Sequence, residues 1–482
     1  MIGMEERMEH PTPYVLGDNL LKLTDSYKYT HWKQYPPKIT NVYSYSESRG
    51  GLFPAVLFFG LQYPIKRYLA GQVVTAEKID DAEEFAEAHF GNKALFNRAG
   101  WEHILDEHRG RLPVSIRAVE EGAVVPTHNV LMTVENTDPE CYWLTNYLET
   151  LLMQTWYPTT VATLSFNIKM RIVENLAQTG NPDPALADFK LHDFGFRGAS
   201  SVETAAIGGA AHLVNFKGTD NPPACDVAKY YYHERMAGFS IPAAEHSTIT
   251  SWGRAFEADA MKNMLEQFPT GLVAVVSDSY DIYKACSDIW GTKLRDMVLN
   301  RDGVLVVRPD SGDPVTVVSN VLDALGEKFG YTVNGKQYKV LNDRIRVIQG
   351  DGIDYEMICS ILGAMKQRGW SGDNIAFGMG GALLQKLNRD TQKFALKCSS
   401  VVIDGKEYDV YKQPITDPGK NSKPGRHKLL LEDGQYATVP QGHPGKDELI
   451  EVFRNGRIMR DYTFEEVRRR ASAGMARVLA VA

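Results

Sequence analysis

The segment "MAGFSIPAAEHSTITSWGR" sets His246 directly after Ala-Ala-Glu and before a Ser-Thr pair able to start a helix. Such a histidine can be a nucleophile, a metal ligand, or a core residue with one hydrogen bond. Five further polar clusters each follow an apolar run. "HDFGFRG" supplies His192, Asp193, Phe194 and Arg197, and "SDSYD" supplies Ser277, Asp278 and Asp281. "RPDSGD" supplies Arg308, Asp310 and Asp313; "QGDGID" supplies Gly350, Asp351 and Asp354; "GMGG" supplies Gly378, Gly380 and Gly381.

Gly380 and Gly381 stand where a helix would open after a strand. Free N–H groups and the positive end of a helix dipole there suit a phosphate. The G-x-G-G spacing departs from a dinucleotide fingerprint. The acids could bind Mg²⁺ through oxygen or water where phosphates need neutralising. Asp313, just before Pro314, reads better as a helix cap, and Ser200 with Glu203 reads as a capping box. Arg197 and Arg308 end apolar runs and call for an anionic partner. Neither H-E-x-x-H nor a Cys/His ligand spacing occurs, so zinc is not expected.

The elements that must position these groups show three textures. Residues 181–400 repeat an apolar strand, a polar cluster and often a helical pattern, with clusters roughly 30 to 45 residues apart, the length of a βα unit. That predicts an α/β domain with a parallel sheet, barrel-like in preference to doubly wound, with ligands at the C-terminal strand ends. Residues 1–180 mix helix and strand, with "TAEKIDDAEEFAEAHF" and "DPECYWLTNYLETLLMQTWY" helical and "LPVSIRAVEEGAVVPTHNVLMTVEN" strand-like. Residues 401–482 carry Asp-Gly or Asn-Gly between strand-like arms in "VVIDGKEYDVY", "KLLLEDGQYATV" and "EVFRNGRIMRDY", the mark of tight hairpins. A β-rich α+β domain built from the N- and C-terminal parts is expected.

Composition narrows the class. A net charge of −7 over 482 residues argues against a general nucleic-acid binder. Five scattered cysteines without a C-x-x-C pair suit reduced thiols in the cytoplasm. The first twenty residues lack the apolar core of a signal peptide, and no run approaches the ~20 apolar residues of a membrane helix.

Several stretches together resemble the nicotinamide phosphoribosyltransferase family, of the type II phosphoribosyltransferases. They include "TDSYKYTHWKQYPP", "KLHDFGFRG", "AHLVNFKGTDN", "IPAAEHSTITSWG", "VVSDSYDIY", "RPDSGDP", "RVIQGDGID" and "NIAFGMGGALLQKLNRD", in family order from about residue 20 to 470. The resemblance implies a homodimer with active sites at the subunit interface. It implies transfer of phosphoribose from phosphoribosyl pyrophosphate to nicotinamide, giving nicotinamide mononucleotide and pyrophosphate in NAD salvage. It also implies coupling to ATP through phosphorylation of His246, with Mg²⁺ held through water by Asp281 and Asp310.

The same resemblance places Phe194 and a partner chain's Tyr27 on the two faces of the nicotinamide ring. Asp220 would accept from the amide NH₂, Arg308 would approach the amide oxygen, and Arg197 and Ser277 would contact substrate. Gly350 and Asp351 would hold the ribose; Gly380 and Gly381, with Arg389 and Lys397 of a partner chain, would hold the 5′-phosphate. Arg49, Lys412 and Lys420 would contact pyrophosphate. Glu245 could orient His246. Met379 and Ala395 stand where relatives often have serine. Two other readings remain at this stage: the same chemistry on nicotinate, disfavoured by like-charge repulsion from Asp220, and a nucleotide-binding homologue without catalysis.

Overall fold

The computed structural model describes residues 15–481; residues 1–14 of the opening segment weighed above as a possible signal lie outside the described residues. The chain forms two compact units, one comprising the residues up to Trp156 with Arg389–Tyr462, the other Tyr157–Asn388 with the residues from Thr463 on. Composition changes near 180 and 400 instead. The helix Trp156–Thr179 continues an apolar run, so the boundary at Trp156 leaves no mark in texture.

In the first unit a seven-stranded antiparallel sheet runs in the order Lys406–Asp409, Phe394–Ile403, Ile39–Ser48, Val130–Asn136, Val114–Ala118, Ile450–Arg454 and Arg457–Ile458. Ile39–Ser48 pairs on one side with Phe394–Ile403 and on the other with Val130–Asn136. The two ends of the chain thus share one sheet, as the hairpin-rich tail predicted. All three hairpins form: Asp404-Gly405, Asp433-Gly434 and Asn455-Gly456 each take positive φ at both residues, the twist that matches antiparallel arms. "DPECYWLTNYLETLLMQTWY" is not one helix. It breaks into turns at Pro139–Cys141, Leu144–Tyr147 and Glu149–Met153 before the long helix.

In the second unit six parallel strands are labelled in chain order: β1 Leu191–Asp193, β2 Gly218–Thr219, β3 Thr270–Val276, β4 Asp302–Arg308, β5 Ile345–Gln349 and β6 Ile375–Met379. Their order is β2-β1-β6-β5-β4-β3. The two edges are joined by an extended segment rather than a regular strand. Phe239 bridges Gly218 on β2 and Ala243 bridges Ala274 on β3, both in parallel sense. The ring of staves is thereby closed.

Alternation along the staves sorts the side chains. Ala274, Val306 and Ile348 form one cluster with Ile241 and Ala376, and Phe194 packs against it. The alternate residues Val273, Val275, Leu305, Val307, Ile345 and Val347 are buried on the opposite face. Caps set several helix starts. Asp313 accepts from Thr316 N–H at 2.9 Å ahead of the helix Pro314–Phe329, with proline in the first turn as expected. The helix Val202–Leu213 is capped by Ser201, which accepts from Thr204 N–H at 3.0 Å, and not by the Ser200–Glu203 box. Among the described residues no helix is long and apolar enough to cross a membrane.

Candidate functional site

The C-terminal ends of β1 to β6 carry all five clusters on one rim, with His246 following the closing segment. Parallel strands leave their terminal carbonyl and N–H groups and the next few side chains at that rim, where this architecture holds ligands. Phe194 follows β1, and its ring fills the space beside Gly378: an added Cβ there would lie 2.0 Å from the ring. Gly350 lies under the same ring, its would-be Cβ 3.4 Å away. The two glycines explain how a phenyl group fits against the strand ends. Asp220, just past β2, accepts a short hydrogen bond from the Ser240 hydroxyl.

Asp193 is fully buried under this rim. Its carboxylate accepts from Gly195 N–H at 2.7 Å and from Asn221 Nδ2 at 2.9 Å. Burial pushes its pKa up to about 6 despite those two donors. His192 is held down by burial, against the pull of Asp220.

His246 is half-exposed, and its ring meets two acids. Nε2 lies 3.0 Å from Asp278 Oδ1, and Nδ1 lies 3.9 Å from Asp310 Oδ2. Asp278 is itself nearly buried, and its other oxygen accepts from Asp310 N–H at 3.0 Å and from the Ser311 hydroxyl. Asp278 therefore orients the ring, whereas Glu245, expected in that role, accepts from the Ser247 hydroxyl and caps the helix His246–Thr250. The Asp278 role escaped the sequence because the pair is 32 residues apart; a buried-type acid directly after a β run was its only local signal. Arg308 Nη2 lies 3.3 Å from Asp310 Oδ2, and its buried Nε has no partner among the described residues. The buried Gln349 Oε1 and Ser279 Oγ are also without partners there. Unmatched buried polar atoms gathered at one rim point to a polar ligand.

The other expected rim residues divide. Asp281 caps the turn Ile282–Lys284, accepting from Tyr283 and Lys284 N–H at 3.1 Å each. Asp354 likewise accepts from Met357 N–H at 2.9 Å. Ser277 is fully buried; its hydroxyl donates to Val275 O at 2.9 Å and accepts from Trp290 Nε1 at 3.0 Å, so it braces the wall and does not reach the rim. Arg197 and Asp351 are exposed. Gly380 and Gly381 open a single turn, Gly381–Leu384. Met379 is buried on β6 and packs into the wall.

Tyr27, Arg49, Arg389, Lys397, Lys412 and Lys420 lie in the first unit, where all six line one cleft of about 850 Å³ with Ala395. Tyr27 is 59 % exposed on the turn Ser26–Lys33 and sits edge-on to His31 at 4.8 Å. Burial pushes its hydroxyl pKa up, helped by Glu149 and Asp25. Burial pushes the Lys397 ammonium down, and Arg49, Lys412 and Arg389 push the same way against Glu149. Lys420 pairs with Asp417 at 3.0 Å and Arg389 with Asp390 at 3.3 Å. Arg49, Arg389, Lys393, Lys397, Lys412 and Lys420, against Asp25, Glu149, Asp390 and Asp417, leave the cleft net positive.

Comparison with known proteins bears on both halves. A profile of the nicotinate phosphoribosyltransferase (NAPRTase) family matches residues 189–457, and one of the nicotinamide phosphoribosyltransferase N-terminal domain matches residues 19–116. A curated nicotinamide phosphoribosyltransferase of Xanthomonas campestris pv. campestris is 54 % identical over 95 % of this chain and 98 % of its own. One from Acinetobacter baylyi is 32 % identical over 94 % and 97 %. The crystal structure of a nicotinate-nucleotide pyrophosphorylase from Pyrococcus furiosus shares the fold, with a TM-score of 0.59 at 15 % identity over 96 % of this chain and 97 % of that one.

Proposed function

Since the chain belongs to the nicotinate phosphoribosyltransferase family, and within it lies beside the nicotinamide phosphoribosyltransferases, we propose that it transfers phosphoribose from phosphoribosyl pyrophosphate to nicotinamide, in pyridine nucleotide salvage. The products are nicotinamide mononucleotide and pyrophosphate. The observation that carries the choice of base is Asp220 on the rim, its N–H bonded at 3.0 Å to the carbonyl of Asp193, the residue before Phe194. A carboxylate there accepts from an amide NH₂ and repels a carboxylate ligand.

Breaking the C1–O bond leaves positive charge on the ribose ring and negative charge on pyrophosphate, so catalysis is mainly positioning and charge complementarity. Phe194 offers a π-face to a ring that becomes cationic in the product. Arg308, with its unmatched Nε, suits the amide oxygen. The attacking pyridine nitrogen carries no proton, so the reaction needs no general base.

The basic cleft suits the phosphate and pyrophosphate groups. The working form in this reading is a cytoplasmic homodimer with shared sites, the cleft of one chain serving substrate bound at the rim of the other. His246 is a phosphoryl acceptor from ATP: with the Nε2 proton directed at Asp278, the Nδ1 lone pair is free to attack the γ-phosphorus, and ADP leaves. Asp281 and Asp310 fit water-mediated Mg²⁺: Asp310 keeps Oδ1 outside its ion pairs, and Asp281 keeps Oδ2 outside its cap, with only the exposed Lys284 ammonium 3.9 Å away. Bound Mg²⁺ would supply charge neutralisation of the pyrophosphate.

The test is a side-by-side measurement of pyrophosphate release with nicotinamide and nicotinate, with and without ATP. A strong preference for the amide is expected, narrowed at least tenfold by Asp220→Asn. Equal efficiencies on the two bases would overturn the substrate assignment, and no release with either would favour a non-catalytic homologue.

A further inference from the structure

Among the described residues one group outside the rim and the cleft gathers metal-ligating types. His103, Asp138 and Cys141 each offer a ligand atom, all within 4.8 Å of one another. His103 lies on the helix Arg98–Glu107 and His108 caps its end. Asp138 caps the turn Pro139–Cys141, its Oδ1 accepting from Glu140 N–H at 2.9 Å. Its Oδ2 meets both imidazoles, His103 Nε2 at 2.8 Å and His108 Nε2 at 2.5 Å. The Cys141 thiol is fully buried behind them. A hydrogen-bonded clamp between helix and turn needs one histidine. His103, Asp138 and Cys141 bring three donor atoms to one point, and His108, on the same carboxylate oxygen but outside that group, is placed to turn in as a fourth, which completes an N₂OS donor set.

We propose that His103, His108, Asp138 and Cys141 bind a structural zinc-class ion. Imidazole and thiolate select a borderline-soft ion over Mg²⁺ or Ca²⁺, and four protein donors leave no open position for catalysis. On binding, each Nε2 gives its lone pair to the ion with the ring proton on Nδ1. The Cys141 thiol releases its proton to solvent, and Asp138 Oδ2 turns from the ring N–H groups to the ion. Zinc–nitrogen bonds of ~2.0–2.1 Å set tetrahedral N···O edges near ~3.3 Å, so Oδ2 and the rings separate by less than ~1 Å. The Asp138 cap through Oδ1 is undisturbed. The sequence carries no zinc signature because the donors come from two elements some thirty residues apart.

The test uses the full chain, reduced, stripped with a chelator and titrated with Co²⁺ in excess Mg²⁺. One equivalent per chain is expected to give tetrahedral ligand-field bands and thiolate-to-cobalt charge transfer, both displaced by Zn²⁺, and Zn²⁺ alone should raise Tm. Cys141→Ser should abolish the charge-transfer band, and His103→Gln, at a partly exposed position that tolerates change, should weaken zinc affinity at least tenfold and remove the Tm rise. Absence of the band in the wild type, or its persistence in both variants, would overturn the proposal. Should Cys141→Ser fail to fold, His103→Gln decides alone.

Discussion

Alanine at position 378 would put a methyl group where the Phe194 ring already sits. The new Cβ would lie 2.0 Å from Phe194 Cε2, 2.1 Å from Cδ2 and 2.8 Å from Cζ. Carbon atoms settle at ~3.5–4.0 Å, so the ring must retreat by ~1.5 Å. The backbone at Gly378 is ordinary strand with no positive φ, which leaves the clash as the whole cost. Overpacking of this kind costs ~1–3 kcal/mol, lowering Tm by several degrees. Misplacement of a positioning group by ~1 Å can cost ~10²-fold in rate, so kcat/KM for nicotinamide should fall by ~10- to 100-fold. Gly363→Ala is the matched control: it lies in the helix Tyr355–Gln367 with nothing within 4 Å of its would-be Cβ, and should gain ~0.5–1 kcal/mol with turnover unchanged. In a Phe194→Ala background, Gly378→Ala should cost almost no stability. Steady-state kinetics and thermal melts on these variants suffice. Wild-type kcat/KM in Gly378→Ala, within twofold, would refute the assignment of Phe194 as a wall of the nicotinamide site.

Two further outcomes follow from the charges. Lys397 has a folded-state pKa below that of a free lysine, so between those two values the unfolded chain holds more protons and stability rises with pH; at neutral pH the charged cleft strains the fold. Lys397→Met should flatten that alkaline rise, and pyrophosphate should raise the wild-type Tm more than the variant's; equal shifts would exclude Lys397 from the anion site. Asp278→Asn should cut ATP stimulation of turnover by about tenfold or more while sparing ATP-independent turnover, because Nε2 no longer faces a carboxylate that fixes the tautomer. Unchanged stimulation would sink the positioning role.

Much of this molecule is written locally. The Asp-Gly and Asn-Gly hairpins, the Asp313 cap and the strand-then-polar-cluster rhythm each depend on a few adjacent residues, and each formed as read. The rim residues were legible for the same reason, since a β run announces where its end will be. What stayed hidden depends on distance along the chain. Asp278 next to His246, the seal between β2 and β3, and the gathering of His103, His108, Asp138 and Cys141 are all made by tertiary packing of separate segments. Ser277 shows the converse: its place in a cluster suggested a ligand contact, but strand alternation turns it to Trp290.

The segment Phe239–Ala244 that seals the barrel is extended chain and not a regular strand. Its edges are fastened by only four backbone hydrogen bonds: Phe239 N–H to Lys217, Thr219 N–H to Phe239, Ala274 N–H to Pro242 and Ala244 N–H to Ala274. By contrast β3 and β4 are in register over seven residue pairs. The seam is therefore held far more lightly than the β3–β4 wall, and His246 stands two residues beyond its last bond. Local opening there would unseat the histidine, so amide exchange at Phe239 and Ala244 becomes a clock for how often the His246 ring loses its mooring.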